Sequence, residues 1–160
     1  MRHRPLLYIE TSVFGFYYDE EPRNALRRDA VRALFRQIEL GLLDATTSPA
    51  TSGELAEAAA PLSGKLLTLL EGIPALSADG AEVRRLTELY MQAGVVPLGE
   101  ELDARHAAYA TVGRADIIVS LNLKHLANEW SERRLNGVNL REGYPMVSIR
   151  TPEQVVLYED

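Results

Sequence analysis

A short run of branched apolar residues, at positions 117–119, constrains the fold of this chain more than any other feature. With Leu121 close behind, the run lacks the alternation of apolar and polar residues that a half-exposed strand shows, and it is typical of a strand buried on both faces. Strands of this kind belong to parallel sheets that are covered by helices on each side. The pattern therefore predicts an α/β fold with a mainly parallel central sheet.

The remaining segments supply the other elements of such a fold within one domain, residues 1–160. Further strands are predicted at 6–9, 43–47, 73–76 and 146–149. Proline, glycine and capping residues delimit the predicted helices. These helices cover residues 22–40, 51–60, 63–70, 79–93 and 103–112, with short helices after Thr11 and at 124–130 and a final helical turn at 151–153. Residues 131–144, rich in Asn, Arg and Gly, are predicted to form a surface loop.

Composition excludes several classes of function. The chain has no cysteine and three scattered histidines, so thiolate chemistry and the usual zinc spacings are excluded. No apolar run has the length of a membrane span or of a signal peptide, and we expect a cytoplasmic protein. The net charge of −6 opposes nonspecific attraction to phosphate backbones. The net charge does not exclude a nucleic-acid substrate, because a metal ion bound by acidic residues makes the electrostatic potential locally positive.

Acids or an amide mark the predicted strand ends and helix starts. Glu10 follows the first strand, Asp103 opens a helix, Asp116 precedes the run at 117–119 and Asn122 follows it, while Glu54 lies on an intervening helix. Taken alone, Glu10, Asp103, Asp116 and Asn122 each have a structural explanation as a cap, a helix charge, a loop acid or a turn former. Together they are oxygen ligands that could converge at one sheet edge, where Mg²⁺ or Mn²⁺ would be the preferred cation.

In this order and spacing, the motifs resemble those of PIN-domain proteins, the fold of VapC-type toxin ribonucleases. The resemblance covers nearly the whole chain and rests on YIETSVFGFYY, TSPATSGELAEA, DARHAAYA, ADIIVSLNLKHLAN and TPEQVV. It implies a three-layer α/β/α fold around a mainly parallel sheet. It also implies a metal-dependent endoribonuclease, the toxin of a type II toxin–antitoxin pair, with an RNA substrate, an antitoxin partner and a homodimeric state.

The resemblance assigns roles to particular residues. Glu10, Asp103 and Asn122 would hold Mg²⁺ or Mn²⁺, while Glu54 and Asp116 would orient ligands or water. Two positions depart from the family pattern, because Glu10 stands where the family has Asp and Asn122 where it has an acid. The neutral amide removes one unit of negative charge from the site. The alternative function is therefore a PIN-fold binding or assembly protein with weak catalysis or none.

Three further features have both a structural and a functional interpretation. The arginines at 23–36 form either a solvated helix face or a positive rim that guides RNA. The aromatic residues at 16–18 belong either to the core or to a dimer interface. His125 either contacts a phosphate or makes a structural hydrogen bond.

Overall fold

The computed structural model describes residues 4–157 and shows an α/β fold around four parallel strands. The strands are short and lie in the order β2-β1-β3-β4. Register pairs Tyr8 with Thr46 on one side and with Ile118 on the other. The bounds are Leu6–Ile9 for β1, Asp44–Thr46 for β2, Ile117–Val119 for β3 and Ser148–Arg150 for β4. The predicted parallel sheet is thereby confirmed.

Helices connect the strands and cover the sheet. Within residues 4–157 they are α1 (Thr11–Phe16), α2 (Ala25–Glu39, after a 3₁₀ turn at Pro22–Asn24), α3 (Pro49–Ala56), α4 (Leu62–Glu71), α5 (Gly80–Gln92), α6 (Glu101–Val112), α7 (Glu129–Arg141) and α8 (Pro152–Val155). None of these helices combines the length and the apolar character that a membrane crossing requires.

Side chains on the two faces of the sheet enter two separate cores. Tyr8 and Ile118 point into a core shared with α5, α6 and α7. Their neighbours Leu7, Ile9 and Val119 point into a second core with α1, α2, α3, α4 and α8. Because successive strand residues face opposite sides, each central strand is apolar throughout, as predicted. This layering is consistent with the three-layer α/β/α fold.

The prediction of a loop at residues 131–144 is wrong, because most of this segment forms α7. Its inward face mixes apolar Leu135 and Val138 with polar Asn136 and Asn139, all of them buried. The buried amide of Asn136 is satisfied by two hydrogen bonds with the backbone of Val147, at 2.9 and 2.7 Å. The short helix predicted at 124–130 is instead a series of turns that leads into α7.

Each outer edge of the sheet is covered in part. Beyond β4, Oε1 of Glu132 accepts a hydrogen bond from the backbone N–H of Ile149 at 3.4 Å and one from Arg150 at 2.9 Å. Beyond β2, the strand predicted at 73–76 is reduced to one parallel bridge between Thr47 and Ala75. A backbone hydrogen bond from Leu76 to Thr47, 2.8 Å long, holds that segment in place.

Candidate functional site

The candidate site lies outside the carboxyl ends of β1 and β3. From β1 the chain crosses to β2 on one side, and from β3 it crosses to β4 on the other. The connections therefore diverge between these two central strands and leave a crevice, which is where open α/β sheets bind ligands. Glu10 follows β1 directly, and Ser120 follows β3.

Glu10 is buried, with 4% of its surface exposed, and its carboxylate is held on two sides. Its Oε2 accepts a hydrogen bond from the backbone N–H of Ser12 at 2.9 Å and so caps α1. Its Oε1 accepts from the hydroxyls of Ser12 and Ser120, each at 2.6 Å. A carboxylate has about four acceptor positions, so these three donors fix Glu10 and leave capacity for one further partner.

Glu54 reaches the crevice from α3 and shares partners with the start of α1. Its Oε1 accepts a hydrogen bond from the hydroxyl of Thr11 at 2.7 Å and lies 2.5 Å from Nε2 of His106. Burial acts to raise the pKa of Glu54. The hydrogen bonds from His106 and Thr11 and the charge interaction with His106 together lower the pKa by more than burial raises it. The net result is a pKa below the usual value, which favours an ionised carboxylate.

His106 is fully buried beneath the crevice, and a hydrogen-bonded chain fixes its ring. Its Nδ1 lies 2.7 Å from the hydroxyl of Tyr8, and that hydroxyl lies 2.6 Å from Oγ of Ser48. Burial is the main reason that the pKa of Tyr8 is raised well above its usual range, so its hydroxyl keeps its proton. Tyr8 and His106 therefore connect the sheet to Glu54.

Asp103 lies in the first turn of α6, beside Asn122. The amide of Asn122 donates to Oδ2 of Asp103 at 3.1 Å. Burial raises the pKa of Asp103, and the negative charges of Glu10 and Glu100 raise it further. The side-chain oxygen of Asn122, the atom that could bind a metal, accepts a hydrogen bond from the backbone of His125 at 3.2 Å. In this arrangement Asn122 holds Asp103 in place.

The structure forms two neighbouring groups of potential metal ligands. Glu10, Glu54 and His106 make the first group, with ligand atoms within 4.8 Å of one another. Glu100, Asp103 and His125 make the second, in which Nδ1 of His125 lies 3.6 Å from both carboxylates. The two groups are neighbours because Asp103 and His106 lie one helical turn apart on α6.

Asp116 is not part of this site, and its predicted place there is corrected. It precedes β3, and its Oδ2 accepts a hydrogen bond from the backbone N–H of Leu6, the first residue of β1, at 2.7 Å. In a parallel sheet the residues before the strands lie at the amino edge, opposite the crevice. The structure thus groups Glu10 with Glu54, and Asp103 with Asn122 in a neighbouring group, and places Asp116 on the far side of the sheet.

The arginines on and before α2 interact with neighbouring acids, aromatic rings and backbone carbonyls. Arg32 donates to the carbonyl of Tyr17 at 2.9 Å and lies 5.4 Å from the centre of its ring. Arg27 lies over Phe16, and Arg23 pairs with Glu21 at 2.6 Å. These contacts favour the structural interpretation of the arginines. The aromatic residues at 16–18 pack partly against the second core.

The most important residue that the sequence analysis missed is His106. A histidine three positions after Asp103 lies one helical turn further along, which could have indicated a second polar group near the site. The buried face of α6 is so broad that periodicity gave no such indication, because the consecutive residues His106, Ala107 and Ala108 are all fully buried.

The donor set fits a hard divalent cation. Glu10, Glu54 and Asp103 provide carboxylate oxygens, which suit Mg²⁺ or Mn²⁺. Both ring nitrogens of His106 are already engaged, one with Tyr8 and one with Glu54. We therefore assign His106 to the support of Glu54, as is common for the groups behind metal ligands.

Neither the family models nor the curated protein sequences compared with this chain match it.

Proposed function

We propose that this protein is a metal-dependent endoribonuclease that hydrolyses RNA phosphodiester bonds. The observation that carries the proposal is the grouping of Glu10, Glu54 and His106, from the end of β1, from α3 and from α6, beside a second group that contains Asp103. Grouped like charges are unfavourable unless a cation offsets them, and function is the usual reason for such grouping.

The residues of the crevice have distinct roles in this proposal. Glu10, Glu54 and Asp103 would hold Mg²⁺ or Mn²⁺. The ion would supply a more acidic bound water and stabilise negative charge on the phosphate. Ser12 and Ser120 orient Glu10 through their hydroxyls. His106 positions Glu54, and Asn122 positions Asp103.

The alternative, a binding or assembly protein with little catalysis, is favoured by one specific observation. Three internal donors already occupy Glu10, and the oxygen of Asn122 is bonded to the backbone of His125. If these bonds persist in solution, the capacity for metal is reduced. Metal binding therefore separates the two functions.

Calorimetric titration with Mn²⁺ tests the proposal. We expect micromolar binding by the wild type and a loss of binding in Asp103→Asn. Asp116→Asn is the matched control, because it removes the same charge at the opposite edge of the sheet and keeps an acceptor for Leu6. Absence of binding by the wild type at millimolar Mn²⁺ would overturn the proposal and support the alternative.

Incubation with cellular RNA then tests the reaction. We expect internal cleavage that needs Mg²⁺ or Mn²⁺, stops with a chelator and is absent from Asp103→Asn.

As the resemblance implies, we further propose that the protein acts in the cytoplasm as a homodimeric toxin and is inhibited by an antitoxin protein. Growth arrest on expression of the wild type, absent with Asp103→Asn, is the outcome expected for a toxin.

A further inference from the structure

A basic hollow lies beside the acid crevice and shares His125 with it. The hollow has a volume of about 380 Å³, within the usual range of ligand pockets, about 300–1,000 Å³. Its walls come from the end of α5, the loop 94–98, the turn at 124–128 and the first residues of α7. Because Nδ1 of His125 lies 3.6 Å from Asp103, the hollow and the second ligand group share a wall.

The charge of the hollow is opposite to that of the chain. Lys124 and Arg134 line it together with His125, and within residues 4–157 no carboxylate is among its lining residues. The nearby Glu129 pairs instead with Arg133, at 4.0 Å. In a protein with a net charge of −6, this is a local site for a negative group.

An aromatic side chain stands at the rim of the hollow. Trp130, the only tryptophan, is 60% exposed although it is a large apolar residue. The guanidinium of Arg134 lies 4.3 Å from the centre of its ring. A cation stacked on an exposed indole holds the ring in place and leaves it available to a further planar group.

The position of Arg134 is itself fixed by the loop before α6. Its Nη1 donates to the carbonyl of Gly94 at 3.0 Å. Gly94 has a φ of 68°, and a Cβ there would lie 2.7 Å from Nη1 of Arg134. Glycine adopts this backbone conformation without strain, and a side chain here would displace the guanidinium of Arg134 from its present position.

We propose that this hollow is the subsite for an unpaired nucleotide of single-stranded RNA. The base stacks on Trp130, and Lys124 and Arg134 neutralise its phosphate. A surface that combines an exposed aromatic ring with cations is characteristic of single-strand recognition, whereas the bases of a duplex are already stacked. The inference rests on the proposed nuclease function, since it names the form of RNA that this crevice accepts.

Tryptophan fluorescence tests the subsite without catalysis. The wild type is titrated with a short oligouridylate, at low ionic strength and with a chelator present to exclude divalent ions. Quenching by the single strand, with little change on adding an RNA duplex of equal length, is expected. An unchanged signal with the single strand, or an equal response to the duplex, would overturn the inference.

Variants test whether Trp130 is the residue on which the oligonucleotide binds. With labelled oligouridylate followed by anisotropy, Trp130→Ala should weaken binding about 5- to 150-fold, while Trp130→Phe should lose much less. Lys124→Ala should reduce the slope of log affinity against log salt by about 0.7. Leu140→Ala is the matched control, since it removes another exposed apolar side chain from α7. Equal binding by Trp130→Ala and the wild type would refute the subsite.

Asp103→Asn separates this inference from the proposed function. It should abolish Mn²⁺ binding and cleavage but keep the fluorescence response, because Asp103 does not line the hollow. Cleavage by the wild type without quenching would refute the subsite alone. Quenching without metal binding or cleavage would refute the nuclease alone.

Discussion

The hydroxyl of Tyr8 lies 2.7 Å from Nδ1 of His106, which joins the central strand of the sheet to the residue that supports Glu54. Tyr8→Phe removes this hydroxyl and leaves Nδ1 and Ser48 without it. We expect a loss of about 1–3 kcal/mol in the free energy of unfolding, measured with urea, because a buried polar group loses its partner. A change close to zero would show that the hydrogen bond contributes little.

Replacing His106 should lower the affinity of the protein for metal, because His106 positions Glu54. His106→Ala removes one of the two side chains that bond Glu54, and a loss of about 10- to 100-fold in Mn²⁺ affinity is expected. His106→Gln can still donate a hydrogen bond and should recover part of the affinity. In the alanine variant the pKa of Glu54, followed by NMR, should rise. If the pKa stays where it is in the wild type, His106 does not position Glu54.

Asp103→Asn should raise the melting temperature of the metal-free protein at neutral pH. A folded-state pKa above the usual 3.8 means that folding disfavours the ionised form, so stability is lost as the pH rises through the folded-state pKa. The asparagine removes the charge and can still accept from Asn122. Calorimetry in a chelator measures the effect. Mn²⁺ should then raise the melting temperature of the wild type and leave that of the variant unchanged.

Acid should destabilise the wild type partly through Glu54. Its folded-state pKa is lower than the usual 4.5, so its ionisation contributes stability above that pH, and the contribution is lost as the pH falls through the folded-state value. In Glu54→Gln, the free energy of unfolding should fall less on acidification below pH 4.5 than in the wild type. Parallel pH profiles for the two proteins would contradict this assignment.

The arginines of α2 should affect stability and not RNA binding. Arg32→Ala removes a hydrogen bond to Tyr17 and a contact with its ring, which should cost about 0.5–1 kcal/mol of unfolding free energy. The affinity for oligouridylate should match that of the wild type, in contrast to Lys124→Ala. A loss of affinity in Arg32→Ala would restore the positive rim as an RNA guide.

Much of the fold could be predicted because the strands are buried on both faces and the helix ends have ordinary signals. The largest error was at α7, where two asparagines occupy the inward face. Asn136 and Asn139 are satisfied by hydrogen bonds to residues distant in sequence, such as Val147, and periodicity cannot reveal such partners. The start signal was present, since the side chain of Asn128 accepts from the backbone of Ser131.

The candidate site was predicted in part, and its errors have simple causes. Glu10 and Asn122 lie at one edge because parallel strands bring their carboxyl ends there, and Glu54 and Asp103 reach that edge from α3 and α6. The same rule excludes Asp116, which comes before its strand, so its misplacement was avoidable. The orientation of the Asn122 amide was not predictable, because it depends on His125 and Asp103 together.

The covered edges of the sheet limit how this protein can associate. Glu132 occupies the outward N–H of Ile149 at one edge, and the segment around Ala75 covers the end of β2 at the other. An open edge would invite another strand to pair with it, the commonest route to uncontrolled sheet growth. At Ile149 and at the end of β2, where backbone groups are already bonded, another strand is therefore hindered from extending the sheet.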